Sequence, residues 1–283
     1  MKNIIFFLFF ASSITSADSC IEWFKKSKLK PGPKCLVKCT VLSTGMDTFD
    51  CPSQCSEFCK AKKCRSTEHW VDSYYKRPYV KGNGKPISGE QIKGHCKQNS
   101  SDYPTWNQKL KDGKPESWPH KSEQAAKWTV EERERVLEAL EETPKLLKDT
   151  NLYGIFRVRE AIDPNNPASN DYADIVIYDK AFSPDYNFTR ILNHELAHRL
   201  YENLSEEEKI QFQDAGDWII DSSGRAKAGR PLKQFVRKND MLSPTEDFAD
   251  DVTEYVHAPE RLKSTAPKVY RWIQNRFGNT LKN

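Results

Sequence analysis

All eight cysteines of this 283-residue chain, Cys20, Cys35, Cys39, Cys51, Cys55, Cys59, Cys64 and Cys96, fall within the first 96 residues. The remaining two-thirds has none and must fold without disulfides. An even number of cysteines in an exported chain predicts four disulfides. Cys35 and Cys39, and likewise Cys51, Cys55 and Cys59, recur at a four-residue spacing that places each set on one helix face. Spacing does not choose among the many pairings that eight cysteines allow. Export is expected from residues 1–17, where Lys2, an apolar run from Ile4 to Ala11 and small residues at Thr15-Ser16-Ala17 have the pattern of a signal peptide. That run is too short to cross a bilayer. The expectation is a secreted or periplasmic protein with no transmembrane segment.

Charge follows the same division. Residues 18–113 hold eighteen basic and ten acidic side chains, whereas residues 114–283 hold twenty-five and thirty. Cysteines and turns interrupt the basic residues, so they make no continuous stripe for nucleic acid. The run Tyr74-Tyr75-Lys76-Arg77-Pro78-Tyr79 suits either a grip on a polyanion or glycan, such as a cell-surface polymer, or an ordinary β-ribbon, and Asn83-Gly84 after it suggests a hairpin. Residues 99–121, rich in Asn, Ser, Asp, Pro and Gly, have the composition of a linker. The domain expectation is thus a signal peptide (1–17), a disulfide-rich basic module (18–98), a linker (99–121) and a larger domain (122–283).

Within the larger domain, Thr129 and Glu132 form a capping-box pattern, and Val130, Val136, Leu137 and Leu140 give helical spacing up to Thr143, before Pro144. Ile155–Val158 and Ala173–Tyr178 are β-type runs on either side of a turn-rich segment, Asp163 to Pro167. Helices are expected from Phe188 to Asn203, from Ser205 onward, from Pro244 to Val256 and from Pro267 to Phe277. The fold class is α+β.

His194-Glu195-Leu196-Ala197-His198 is the segment richest in chemistry. Two histidines four apart on a helix project the same way and can grip one metal ion, with Glu195 beside them as a proton acceptor. Leu192, Leu196 and Leu200 form a stripe on the opposite side, so the helix can bury its leucines and turn its imidazoles to a cleft. A hydrolytic zinc site needs a third protein ligand. Ser243-Pro244-Thr245-Glu246-Asp247-Phe248-Ala249-Asp250 offers two equally spaced pairs, Glu246/Asp250 and Asp247/Asp251, which helical geometry does not separate; it is also an ordinary capped helix start.

From Ile191 to Phe277 the sequence resembles the catalytic domain of anthrax-toxin lethal factor and its relatives, zinc peptidases of the gluzincin type. The resemblance rests on Asn193-His194-Glu195-Leu196-Ala197-His198, on Glu246-Asp247-Phe248-Ala249-Asp250, and on Pro259-Glu260-Arg261-Leu262-Lys263 leading to Ala266-Pro267-Lys268. It covers roughly a third of the chain. It implies a zincin-like metallopeptidase domain after the disulfide-rich module, one Zn2+ per chain held by His194, His198 and Glu246, and Asp250 supporting a ligand imidazole from behind. Lethal factor has a Tyr shortly before its third ligand that helps stabilise the oxyanion; the matching segment here, Arg237-Lys238-Asn239-Asp240-Met241, has none.

The function expected is that of an exported zinc endopeptidase on peptide or protein substrates, with Glu195 as general base and then acid. Ala173–Tyr178 is the strand expected to pair with an extended substrate. The competing expectation is a non-catalytic secreted binding protein, with a cysteine module on a cell-surface polymer and a degenerate peptidase fold. Retention of Glu195 beside both histidines weighs against it, because a structural zinc site needs no general base.

Overall fold

A computed structural model of the chain describes residues 68–81, 83–98, 103–171, 173–236 and 243–281. Residues 1–17, where a signal peptide is expected, and all cysteines except Cys96 lie outside these residues. The chain divides into two compact units, residues 1–74 with 91–101 and residues 75–90 with 102–283.

In the smaller unit, strand β1 (Glu68–Val71) runs antiparallel to β6 (His95–Gln98), with Trp70 opposite Cys96. Cys96 is disulfide-bonded. Two short strands, β2 (Tyr74–Lys76) and β5 (Glu90–Ile92), fall where the chain passes from one unit to the other.

The larger unit mixes helices and small sheets, as the α+β expectation requires. Its main sheet has the order β7 (Leu110–Asp112), β8 (Gly154–Arg157), β10 (Asp174–Ile177), β9 (Ala168–Asp171). The first three strands are parallel and β9 is antiparallel to β10. Side chains alternate across it as a pleated strand demands. Ile155, Ile175, Ile177 and Ala168 belong to the main core, while Phe156, Val158, Val176 and Tyr178 form a second cluster with Trp118. The strand expected from Ala173 to Tyr178 is therefore interior, and the edges of this sheet are β9 and β7. Sequence periodicity reports which face a residue takes but not which strand lies outermost.

Eight α-helices occur among the described residues: α1 (Tyr103–Lys109), α2 (Val130–Glu142), α3 (Lys145–Lys148), α4 (Phe188–Glu202), α5 (Glu206–Ala215), α6 (Pro244–His257), α7 (Pro259–Thr265) and α8 (Pro267–Phe277). Capping chemistry sets their starts. Thr129 Oγ1 accepts from Glu132 N (3.2 Å) while Glu132 returns to Thr129 N (3.1 Å), and Ser205 and Glu208 repeat the device on α5. The stretch expected as a linker carries α1 and β7, and it buries Trp106, Leu110 and Trp118. Three large apolar residues among many polar ones suffice to dock it, which composition averages away.

Residues 75–90 also belong to the larger unit. β3 (Tyr79–Val80) pairs with β4 (Pro86–Ile87) through a turn in which Gly84 takes φ +81°, a left-handed value that glycine adopts without strain. The cations of this ribbon face the acidic side of α2. Arg77 Nε meets Glu131 at 2.6 Å, Lys81 Nζ meets Glu138 at 2.9 Å, and the Tyr79 hydroxyl donates to Glu138 at 2.7 Å. Arg77, Tyr79 and Lys81 are thus engaged within the chain itself, while Tyr75 is exposed.

Candidate metal centre

Helix α4 starts at Asn187, whose side chain accepts from Arg190 N (3.2 Å). Leu192, Leu196 and Leu200 are buried on one side, as their stripe predicts. The opposite side carries His194 and His198, whose rings meet edge to face with centroids 4.6 Å apart. Helix α6 packs against it, started by Ser243, which accepts from Glu246 N (3.2 Å), and by Pro244 at its first position.

The two helices bring three donor groups together. His194 Nε2 and His198 Nε2 lie 3.0 Å apart, and each is 3.5 Å from a Glu246 carboxylate oxygen. Tetrahedral zinc with bonds of about 2.1 Å would set its ligands about 3.4 Å apart. The donor set, two imidazoles and a carboxylate, has the chemistry and the spacing to hold such an ion. Behind it, His194 Nδ1 meets Asp250 Oδ1 at 2.8 Å, so Asp250 fixes the ring and directs Nε2 toward Glu246.

Helical spacing left Asp247/Asp251 as an equal alternative, and their partners separate the two pairs. Asp247 and Asp251 are buried on another side of α6, where both pair with the Arg230 guanidinium and Asp247 also accepts from Trp218 Nε1 (2.8 Å). Trp218 lies on strand β11 (Trp218–Ile220), which forms a hairpin with β12 (Ala226–Ala228). The sequence carried no signal for Arg230, because a cation seventeen residues before its carboxylate partner follows no local period.

Glu195 is buried beside the histidines without being one of the converging donors. Burial pushes its carboxyl up to about 7, against the opposing pull of His194. Burial alone would lower His194, but its hydrogen bonds to Asp250 and Glu246 and the charge of Glu195 hold it up at about 10. Burial and the neighbouring His194 charge push His198 down to about 4. The carboxylates therefore hold one positive charge at the point where the ring nitrogens converge, the place a bound cation would take. The adjacent Asn193, fully buried, donates from Nδ2 to His257 Nε2 (2.9 Å) on α6 and accepts from Thr143 Oγ1 (2.7 Å) at the end of α2.

The site opens into a cleft of about 590 Å³ whose walls include His194, His198, Glu246 and the edge strand β9. Asn170 on β9 donates to the Glu195 carbonyl (2.8 Å), tying that edge to α4. Segment 237–241, where the expected tyrosine is missing, lies outside the described residues. No family model matches the chain, and neither a curated protein nor a solved structure matches it at a significant level.

Proposed function

We propose that the larger unit is a zinc endopeptidase with a zincin-like fold, in a protein exported by a signal peptide and cross-linked in its cysteine-rich part. The observation that carries this reading is the convergence of His194, His198 and Glu246 next to a buried carboxylate that is not among the donors, in a cleft walled by an edge strand. The resemblance to lethal-factor peptidases supports it through motif residues alone.

His194, His198 and Glu246 would hold the ion, with Asp250 fixing the His194 ring. Zinc bound there supplies Lewis acidity toward a peptide carbonyl and toward water. Glu195 is the group left to move protons, accepting one from the attacking water and returning it to the leaving amine. Edge strand β9 turns backbone groups outward, where an extended peptide could pair with them. The Asn170 bond to the Glu195 carbonyl holds the peptide-pairing strand at a fixed distance from that carboxylate.

Metal analysis of the purified full chain, combined with digestion of a broad peptide library, tests the proposal. The expected result is one equivalent of zinc and cleavage at defined bonds that a chelator abolishes. Stoichiometric zinc without cleavage of any peptide would instead assign the chain to the binding-protein class.

A further inference from the structure

Strand β9 is an outer strand of its sheet, yet not all of its outward backbone groups are free. Tyr178 N donates to Pro167 O (3.0 Å), and Ala168 stands opposite Ile177. In an antiparallel ladder this makes Ala168 a non-hydrogen-bonded position, so its N–H and C=O turn away from β10. Two residues on, Asn170 turns outward as well. An extended ligand on this edge could thus address four groups, the N–H and C=O of Ala168 and of Asn170.

One of the four is taken. Asn166 Oδ1 accepts from Ala168 N (3.2 Å), while its Nδ2 donates to Ser169 Oγ (2.8 Å). Ser169 in turn lies 3.4 Å from the hydroxyl of buried Tyr178, which donates to Glu123 (3.1 Å). Glu123 is itself buried and accepts from Trp118 Nε1 (2.8 Å) and from Ile162 N (3.1 Å), in the loop that leads to Asn166. The carboxamide is therefore braced by a polar network that runs through Ser169 and Tyr178 to Glu123.

We infer that Asn166 is a specificity-determining residue whose side-chain oxygen stands where a carbonyl of a longer peptide would bind, so that the cleft pairs with peptide backbone through Ala168 C=O, Asn170 N–H and Asn170 C=O only. The ligand class is an extended peptide whose affinity stops rising with length once it reaches Ala168. This inference rests on the endopeptidase reading of the cleft. Asn166→Ala opens the fourth group, and a backbone hydrogen bond gained there is worth about 2- to 10-fold in affinity.

The test measures binding by fluorescence anisotropy to the zinc-loaded full chain carrying Glu195→Gln, so that bound peptide is not consumed. The probes are labelled peptides of one cleavable sequence, lengthened one residue at a time at either end. With Asn166 in place, affinity should reach a plateau at one end. Asn166→Ala should move that plateau out by one or two residues with the 2- to 10-fold gain, while Asn166→Asp, which keeps the acceptor for Ala168 N, should leave the length profile in place. A uniform loss across all lengths in Asn166→Ala, or an unchanged profile, overturns the inference and leaves the endopeptidase reading standing. Absence of binding by every peptide overturns both.

Discussion

Two carboxylate pairs with identical spacing lie on α6, and the protein uses them in opposite ways. Glu246 and Asp250 face two imidazoles and a cleft, whereas Asp247 and Asp251 face a buried guanidinium and an indole. Glu246 is partly exposed, and its hydrogen bond with His194 and its electrostatic interaction with the two imidazoles outweigh burial and keep its carboxyl below the usual range. Burial drives Asp247 up to about 6 and Asp251 well above its ordinary value, despite Arg230. The helix supplies only periodicity. What each carboxylate can do is set by the partner that other segments bring to it.

Substitutions on the two sides should therefore fail differently. Glu246→Ala, the largest expected effect, should strip the metal while the apo protein unfolds at nearly the wild-type temperature, checked by metal analysis and thermal melts. Asp247→Ala should do the reverse and keep the metal. Its cost is stability, about 1–3 kcal/mol by denaturant titration, because the Trp218 indole loses its buried acceptor while Arg230 keeps Asp251 as a partner. Asp250→Ala should fall between them, weakening zinc about 10- to 100-fold in competition titrations while the two histidines still bind. Loss of metal in Asp247→Ala with retention in Glu246→Ala would invert the comparison.

The sequence carried the helix starts and the two histidines, because a cap and a 3.6-residue period are local. Thr129 with Glu132, Ser243 before Glu246 and the Leu192/Leu196/Leu200 stripe all act within one or two turns. Two features depended on residues distant in sequence and were not legible: the substrate edge needed the strand order that puts β9 outside β10, and residues 103–121 joined the larger unit through Trp106, Leu110 and Trp118. The choice between the carboxylate pairs was open to helical spacing and was made by the family resemblance alone; Arg230 supplies its physical reason. Asn193 was visible only as a motif letter, and its bridge from α2 to α6 appears when Thr143 and His257 are placed beside it.

The smallest expected effect concerns the ribbon on α2. Burial would raise the Glu138 carboxyl, but its bonds with Tyr79 and Lys81 outweigh that and hold it below its ordinary value. A carboxylate depressed by folding stabilises the fold above its unfolded pKa, and that stability is lost as pH falls through the lower folded value. Glu138→Gln should thus lower the melting temperature near pH 7, and the gap from wild type should close as the pH drops below about 4. Tyr79→Phe, which removes one neutral donor from a charged acceptor, should cost about 1.5–3 kcal/mol at neutral pH and less in acid. A gap that persists unchanged to pH 3 would show that the ribbon is held by packing instead of charge.

The most direct measurement is paired zinc content and peptide turnover in Glu195→Gln. The substitution keeps the shape of the side chain and leaves His194, His198 and Glu246 intact, so zinc should stay at one equivalent per chain. Turnover should fall toward the upper end of the 10²- to 10⁴-fold range that a general acid–base group contributes, since one carboxylate serves both proton transfers. Turnover above about a tenth of wild type, or loss of the metal together with activity, would contradict the role assigned to Glu195.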